Sequence, residues 1–272
     1  MPHELYRGPF LWIALGFVVL EALYIAFVAR KPYDARETLA SLGVAAGNLI
    51  TRPLTSLVIL TTFPWVARFA PWHLPDTNPL VWIAGFLAFE FLYYWMHRLS
   101  HTVRWMWASH AVHHSADHFT LPAAVRLGWT NVLSGEWLIY LPLVLIGFSP
   151  TLVVIFVTLD LSYQFFLHTE LWPRWGVLEH VLNTPAHHRI HHASNDRYLD
   201  TNFGGVLIVF DKLFGTFALD DGQDPVRFGL THPMRSYNPF VISLREWGRM
   251  GRDVLRARSP SQVVKTLFGP PQ

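Results

Sequence analysis

The sequence contains no cysteine among its 272 residues. This absence excludes disulfide bonds, thiolate metal sites, iron–sulfur clusters and cysteine nucleophiles. Any metal ion that the chain binds must therefore be held by nitrogen and oxygen ligands.

Charged residues are also scarce. They make up 15% of the chain, whereas an ordinary soluble domain carries about 25%. Hydrophobic residues make up 51% and aromatic residues 15%, with 12 tryptophans, which is typical of a protein with aromatic belts at a membrane interface. The formal net charge is only +2, so the composition gives no indication of nucleic-acid binding.

Long apolar runs are abundant. The first has twenty residues, and a helix of that length spans roughly 30 Å, the thickness of one hydrocarbon core. The last two are shorter and are separated only by Ser149 and Pro150, which predicts a tight helical hairpin. Its arms are at the short limit for spanning, so the hairpin either crosses the membrane or only dips into it. A large soluble helical protein is the alternative, but the first run is too long and too uniformly apolar for an ordinary core helix. The five runs cover residues 10–29, 39–63, 79–96, 132–148 and 151–167.

The basic residues predict an orientation. Arg30, Lys31 and Arg36 follow the first run, and twelve of the 21 basic residues lie beyond His168, whereas residues 64–78 contain only Arg68. Positive charge marks the cytoplasmic side, so we expect the 30–38 loop and the tail to be cytoplasmic and the N-terminus to lie outside. Counting the runs then places every histidine group on the cytoplasmic side.

The C-terminal part contains two further segments of interest. Residues 240–259 predict either a basic amphipathic helix on anionic headgroups or a solvated helix packed on the domain. Residues 200–217, "DTNFGGVLIVFDKLFGTF", predict ordered loop structure near the histidines. We expect one domain over 1–272, with a motif core of about 80–220 and a basic tail over 221–272. The fold class is therefore an all-α integral membrane protein, a bundle of about four to five membrane-embedded helices with a cytoplasmic histidine-rich di-metal cap.

Twelve of the fifteen histidines fall between residues 97 and 192. In "HRLSH" the spacing is i, i+4, and in "HAVHH" and "HRIHH" it is i, i+3, i+4. On a helix each set projects from one face. A single buried histidine is usually a hydrogen-bonded core residue, but many imidazoles without a common partner would be costly to bury. The three sets are His97 and His101; His110, His113 and His114; and His188, His191 and His192.

This pattern predicts a metal site. Neutral imidazole is a strong ligand for divalent transition metals, and eight or nine imidazoles are too many for one ion, so we expect two. A nitrogen-rich site suits iron, zinc or copper. "HRLSH" has the spacing of a zinc-protease motif, but Arg98 occupies the position of the general base and cannot abstract a proton.

The three histidine boxes behind apolar helices resemble the fatty acid hydroxylase/sterol desaturase superfamily over about residues 80–220. The phrases "WASHAVHHSADHFTLPAAVR", "HTELW" and "NTPAHHRIHHASN" are similar to its alkylglycerol monooxygenase-like branch. One departure is Thr102, where that branch is expected to have an acidic residue after the first box, and this argues against the branch's pterin-dependent activity. The chain is also shorter than those enzymes.

The resemblance implies a membrane-bound oxygenase with two iron ions (Fe2+/Fe3+), which uses O2 to hydroxylate or desaturate a C–H bond of a lipid such as a fatty acyl chain, sterol or ether lipid. Electrons would come from a donor protein or a reduced pterin. Carried over by position, the eight histidines of the three sets are metal ligands, and His168 in "FLHTE" resembles a ninth. His187 is extra and is a ligand, an outer partner or a surface residue.

Acidic and amide side chains near the boxes are candidate partners of the second ring nitrogens, namely Asp117, Glu170, Asp196, Asp200 and Asn202. Acids inside the apolar runs are expected to line a substrate tunnel or to pair with a basic group such as Arg126; these are Glu90, Glu136 and Asp160.

Two other function classes remain open. A haem protein needs one or two axial histidines on facing helices rather than adjacent i+3 and i+4 pairs. A transport or non-enzymatic histidine-rich metal-binding protein would have its histidines and acids along a path through the membrane, whereas here they cluster near one boundary.

Overall fold

The computed structural model describes residues 3–30, 32–172 and 174–271, so Lys31 of the predicted cytoplasmic loop lies outside the described residues. Within these ranges the chain is helical, with 66% of residues in helix and no strands. The helices are α1 His3–Leu23, continued by a π-helical turn Tyr24–Val28, α2 Ala35–Ala67, α3 Pro79–Thr102, α4 Arg104–His114, α5 Asn131–Ser134, α6 Leu141–Leu145, α7 Pro150–Phe165, α8 Pro185–His191, α9 Val209–Phe214, α10 Pro239–Arg256 and α11 Pro260–Phe268.

Three helices in the described part are long and apolar enough to cross a membrane: Pro9–Val28, Ala35–Ala67 and Pro79–Thr102. They correspond to the first three predicted runs. Asp34 begins α2, where its carboxylate accepts hydrogen bonds from the backbone N–H groups of Arg36 and Glu37. Asn78 caps α3 through Leu80, and Pro79 occupies the first turn, where a missing N–H costs little.

The predicted hairpin is only partly correct. Its second arm is α7, capped by Ser149 as the Ser-Pro pair indicates. Its first arm, expected as one helix over 132–148, is broken into α5, a 3-10 turn over Glu136–Tyr140, and α6. The break lies at Gly135, whose φ of 78° ends α5 in the left-handed conformation, which glycine adopts without steric cost.

The main core lies between α2, α3, α6 and α7. Phe63, Phe89, Leu143, Val144 and Leu152 are all almost fully buried there. Helix α3 is packed into this core, and its C-terminal turns carry the first two histidines.

The tail packs on the domain. Helix α10 lies against α4 and α2, and its Ile242 and Met250 are 2% and 3% exposed. The interpretation as a helix packed on the domain is thus supported, while contact of its exposed basic side with headgroups stays a prediction. The 200–217 segment packs beside the histidines as predicted, with Phe203 fully buried, but its residues Val209–Phe214 form helix α9 instead of a loop.

Candidate metal centre

The structure brings all nine predicted histidines together in two adjacent groups. In each group one ring nitrogen from every member lies within 4.8 Å of those of the others. The five-histidine group contains His97, His101, His110, His114 and His191, and the four-histidine group contains His113, His168, His188 and His192.

The helices that carry the boxes are shared between the groups. The C-terminal turns of α3 supply His97 and His101 to the five-histidine group alone. Helix α4 sends His110 and His114 to that group but His113 to the other. The third box, on α8 and its C-cap, divides the opposite way: it sends His191 to the five-histidine group and His188 and His192 to the four-histidine group. His168 joins them from just beyond the end of α7.

The nitrogen spacing fits metal coordination. In the five-histidine group Nε2 of His110 lies 3.1 Å from Nε2 of His97 and 3.2 Å from Nε2 of His114. In the four-histidine group Nε2 of His188 lies 3.1 Å from Nε2 of His168 and 3.2 Å from Nε2 of His192. A metal–nitrogen distance of about 2.1 Å separates neighbouring ligand nitrogens by roughly 3.0–3.4 Å. The two groups therefore have the dimensions of ligand shells.

Backbone carbonyls set the tautomers of three rings. Nδ1 of His97 donates to the carbonyl of Phe203 at 2.8 Å, and Nδ1 of His191 donates to that of Thr201 at 2.9 Å. Because a carbonyl oxygen only accepts, Nδ1 must carry the proton and Nε2 must present a lone pair. Nε2 of His191 is buried and has no hydrogen-bond partner. A lone pair buried in this way suits a cation.

His168 and His101 show the same arrangement. Nδ1 of His168 donates to the carbonyl of Gln164 at 2.8 Å. Nδ1 of His101 lies 3.4 Å from a carboxylate oxygen of Asp200. Metal-binding histidines generally have their second nitrogen held in this manner.

Burial keeps the rings neutral. It lowers the pKa of His113 to about 4 from the usual 6.5, and it lowers the pKa of His188 and His192 well below 6.5, with repulsion between neighbouring imidazoles adding to the effect for these two. Neutral imidazole is the form that binds a metal ion. The residues present thus fit two nitrogen-bound transition-metal ions.

His187 lies outside both groups. Its ring is fully buried and packs against Phe217, with a centroid separation of 5.3 Å. Helix α8 begins at Pro185 as expected, but the side chain of Thr184 makes no capping hydrogen bond. Its hydroxyl oxygen instead lies 3.5 Å from Nδ1 of His187.

Most of the predicted outer partners are placed elsewhere. Only Asp200 lies beside a candidate ligand, His101. Asp117 donates its backbone N–H to Glu37, and Asp196 is exposed at the start of a 3-10 turn. Asn202 orders the backbone around the site, and Glu170 lines a cleft described below.

The acids within the apolar runs do not pair with Arg126, which corrects that expectation. Arg126 pairs with Glu37, at 2.8 Å. Glu90 accepts hydrogen bonds from the backbone N–H groups of Val206 and Leu207 at 2.9 and 2.7 Å. The other two acids contact neutral side chains: Asp160 accepts from Gln164 at 2.6 Å, and Glu136 accepts from Ser100 at 3.5 Å.

Two features near the histidines were not predicted from the sequence. The ring of Phe119 covers the four-histidine group, with centroids 5.4 Å from His168 and 5.1 Å from His192. Phe119 also lines a cleft of about 160 Å³ beside the C-terminal end of α1 and the N-terminal end of α2. Four acidic residues also line this cleft: Glu21, Asp34, Glu37 and Glu170.

Comparison with known proteins gives a consistent result. Residues 82–216 match the model of the fatty acid hydroxylase family. The chain is 35% identical over 231 residues to human alkylglycerol monooxygenase and 42% identical over 230 residues to that of Danio rerio; each match covers 84% of this chain. It is 28% identical over 271 residues to an ornithine lipid hydroxylase of Rhizobium tropici, covering 93% of this chain and 81% of the relative.

The matches with alkylglycerol monooxygenases cover 51% of the human and zebrafish proteins. The chain therefore spans about half the length of these curated relatives. No solved structure matches it significantly.

Proposed function

The chain belongs to the fatty acid hydroxylase superfamily, in its alkylglycerol monooxygenase-like branch, and from this premise we propose that it is a membrane-bound di-iron oxygenase that acts on a lipid. The observation that carries the proposal is the pair of buried histidine groups, nine neutral nitrogen donors divided five and four. The names of the relatives agree with it, because they are a monooxygenase and a lipid hydroxylase.

In this proposal each histidine group holds one iron ion. Bound iron would supply O2 activation and the two-electron oxidation of an unactivated C–H bond, with electrons from a donor protein or a reduced pterin. The chain itself contributes fixed lone pairs: His97, His168 and His191 each donate Nδ1–H to a carbonyl, so their Nε2 atoms are ready for a metal without a proton shift.

The cleft beside Phe119 is the proposed approach for the lipid. It lies between α1, the beginning of α2 and the loop that carries Phe119, and the ring of Phe119 separates it from the four-histidine group. Its apolar lining, including Ile25 and Leu171, suits a chain, and its carboxylates suit hydroxyl or ammonium groups at the polar end. A bulky ring at the boundary also keeps bulk water from the histidines.

The same proposal places the site on the cytoplasmic face, with the N-terminus outside and one domain over the whole chain. The contact between the two basic regions supports this orientation. The hydroxyl of Tyr237 in the tail donates to Asp34 at 3.1 Å, at the end of the 30–34 loop. This contact brings Asp34 and Tyr237 together, which supports a common cytoplasmic side for the two basic regions under the positive-inside rule.

Lipid analysis of a host with and without the chain tests the activity. We expect lipids that have gained one oxygen atom or lost two hydrogen atoms. His191→Ala and His188→Ala each remove a member of a different histidine group and should abolish these products. His180→Gln is the matched control, because His180 is exposed and outside both groups.

Unchanged lipids in the host that expresses the wild-type chain with its metal bound would contradict the oxygenase proposal. That outcome would favour a non-enzymatic or transport metal-binding protein. Products that persist in both alanine variants would contradict the assignment of the histidines.

A further inference from the structure

We propose that residues 200–204 form an outer-shell segment that positions the five-histidine group alone, and that Asp211 and Asn202 are the positioning residues that hold this segment in place. The inference rests on the proposed metal centre. It concerns residues outside the three histidine boxes.

The segment supplies the partners for three members of one group. Thr201 and Phe203 offer the carbonyls that accept from His191 and His97, and the carboxylate of Asp200 lies 3.4 Å from His101. The ring of Phe203 also packs on the same three histidines, with centroid separations of 5.7, 5.1 and 5.9 Å for His97, His101 and His191.

The four-histidine group is served by other residues. Its His168 donates Nδ1–H to Gln164, within the last turn of α7. Its aromatic cover is Phe119, which packs on His168, His188 and His192. The two groups thus share helices α4 and α8 but differ in the outer contacts that fix their rings.

The backbone of the segment is in an unfavourable conformation. Asp200 and Asn202 both have a φ of 57°. Asp and Asn tolerate this left-handed region better than other side chains, yet two such residues so close together must be held by their surroundings.

Asp211 on α9 holds the C-terminal end of the segment. One carboxylate oxygen accepts from the backbone N–H of Phe203 at 2.7 Å and from the hydroxyl of Thr216 at 2.7 Å. The other accepts from the backbone N–H of Gly204 at 2.8 Å. Because Asp211 is fully buried, no water can replace these bonds. The carboxylate therefore fixes the peptide whose carbonyl holds His97.

Asn202 holds the middle of the segment. Its side-chain oxygen accepts from the backbone N–H of Ala218 at 2.9 Å, and its amide donates to the carbonyls of Ala218 and His187 at 2.8 and 3.1 Å. This links the segment to the start of α8, the helix that carries both His191 of the five-histidine group and His188 of the four-histidine group. The buried backbone of His187 thus has a role that its ring lacks.

Outer-shell substitutions generally weaken metal binding about 10- to 100-fold. We expect Asp211→Asn to lower the affinity for one of the two bound ions by roughly that factor and to leave the affinity for the other unchanged. The test is metal analysis of the full chain in detergent after dialysis against a graded chelator series. The wild-type chain should lose both ions only at a high chelator concentration. The variant should lose one ion at a low chelator concentration and keep the other until the concentration is high.

Variant backgrounds identify which ion is lost. In a His192→Ala background, where the four-histidine group is incomplete, Asp211→Asn should lower retention of the remaining ion. In a His97→Ala/His191→Ala background, which leaves three histidines in the five-histidine group just as His192→Ala leaves three in the other, Asp211→Asn should have no further effect. Asp220→Asn, at an exposed acid of the same region, is the matched control.

A second variant protects the test against misfolding. Asn202→Gly removes the side-chain hydrogen bonds, but glycine adopts a φ of 57° without strain, so the backbone cost is relieved. It should weaken the binding of the same ion, and more strongly than that of the other ion, because only the five-histidine group also contacts residues 200–204. The positioning proposal is overturned if Asp211→Asn and Asn202→Gly weaken the binding of both ions equally, or if they weaken the binding of neither ion. A wild-type chain that binds no metal would instead overturn the proposed function itself.

Discussion

The ion pair between Arg126 and Glu37 offers a quantitative test of how the site is supported. Arg126 is 1% exposed, and Nη2 lies 2.8 Å from the Glu37 carboxylate. Nε donates to the hydroxyl of Ser41 at 3.0 Å, and Nη1 donates to that of Ser115 at 3.1 Å. Since Ser115 directly follows α4, this guanidinium joins α2 to the helix that carries the second histidine box.

Arg126→Met removes the cation and leaves the Glu37 carboxylate buried without a counter-charge. Breaking a buried pair in this way costs about 3–5 kcal/mol, whereas replacing both partners with neutral groups is often close to neutral. We therefore expect Arg126→Met to be strongly destabilising and the double variant Arg126→Met/Glu37→Gln to recover most of the loss. The glutamine keeps an oxygen that can accept from the backbone of Asp117, as Glu37 does now.

The assay is thermal unfolding of the purified chain in detergent. At about 2–4 °C per kcal/mol, a loss of about 3–5 kcal/mol should lower the unfolding temperature of the single variant by roughly 6–20 °C. Arg227→Met is the control, because its pair with Asp224 is 3.5 Å long and its side chain is 65% exposed; it should change stability by about 1 kcal/mol or less. A single variant as stable as the control, or effects of Arg126→Met and Glu37→Gln that simply add, would refute this reasoning.

Two further substitutions probe packing and buried charge. A methyl group on Gly47 would lie 2.2 Å from the ring of Trp129, so Gly47→Ala should destabilise the chain by about 1–3 kcal/mol. Gly16→Ala is the control, because a methyl group there would lie in open space. Equal unfolding temperatures of the two variants would contradict the packing at Gly47. Burial raises the pKa of Asp211 from 3.8 to about 6, so its contribution to folding is complete below pH 4 and is lost as the pH rises through 6. The unfolding temperature of Asp211→Asn should therefore approach that of wild type between pH 4 and 7, and a constant or growing gap would contradict the raised pKa.

The sequence was most informative for features that depend only on helical periodicity and composition. The first three apolar runs form helices α1, α2 and α3, and the histidines whose spacing predicted a metal site lie together in two groups. The spacing could not show that each triplet divides two to one, because i, i+3 and i+4 share one face. Which member points to which group depends on how α4 and α8 are placed relative to the other histidine-bearing elements, a tertiary property.

The partners of the rings were harder to predict, for a physical reason. Candidates chosen as acidic side chains included Asp200, but backbone carbonyls hold His97, His168 and His191. Every residue carries a carbonyl, so the sequence gives no signal for the ones that matter. The weak signal available was the run of Asp and Asn in "DTNFG", residue types that tolerate the left-handed backbone. Likewise, the break at Gly135 depends on a φ that the apolar pattern of 132–148 does not reveal.

The central claim is that this chain holds two metal ions through its two histidine groups. Metal analysis of the purified full chain, combined with its optical spectrum, tests that claim most directly. The account predicts two iron ions per chain, one for each group of neutral imidazoles, and no haem Soret band. A chain that contains a single ion or none after loading with iron, or that shows a Soret band, would contradict it.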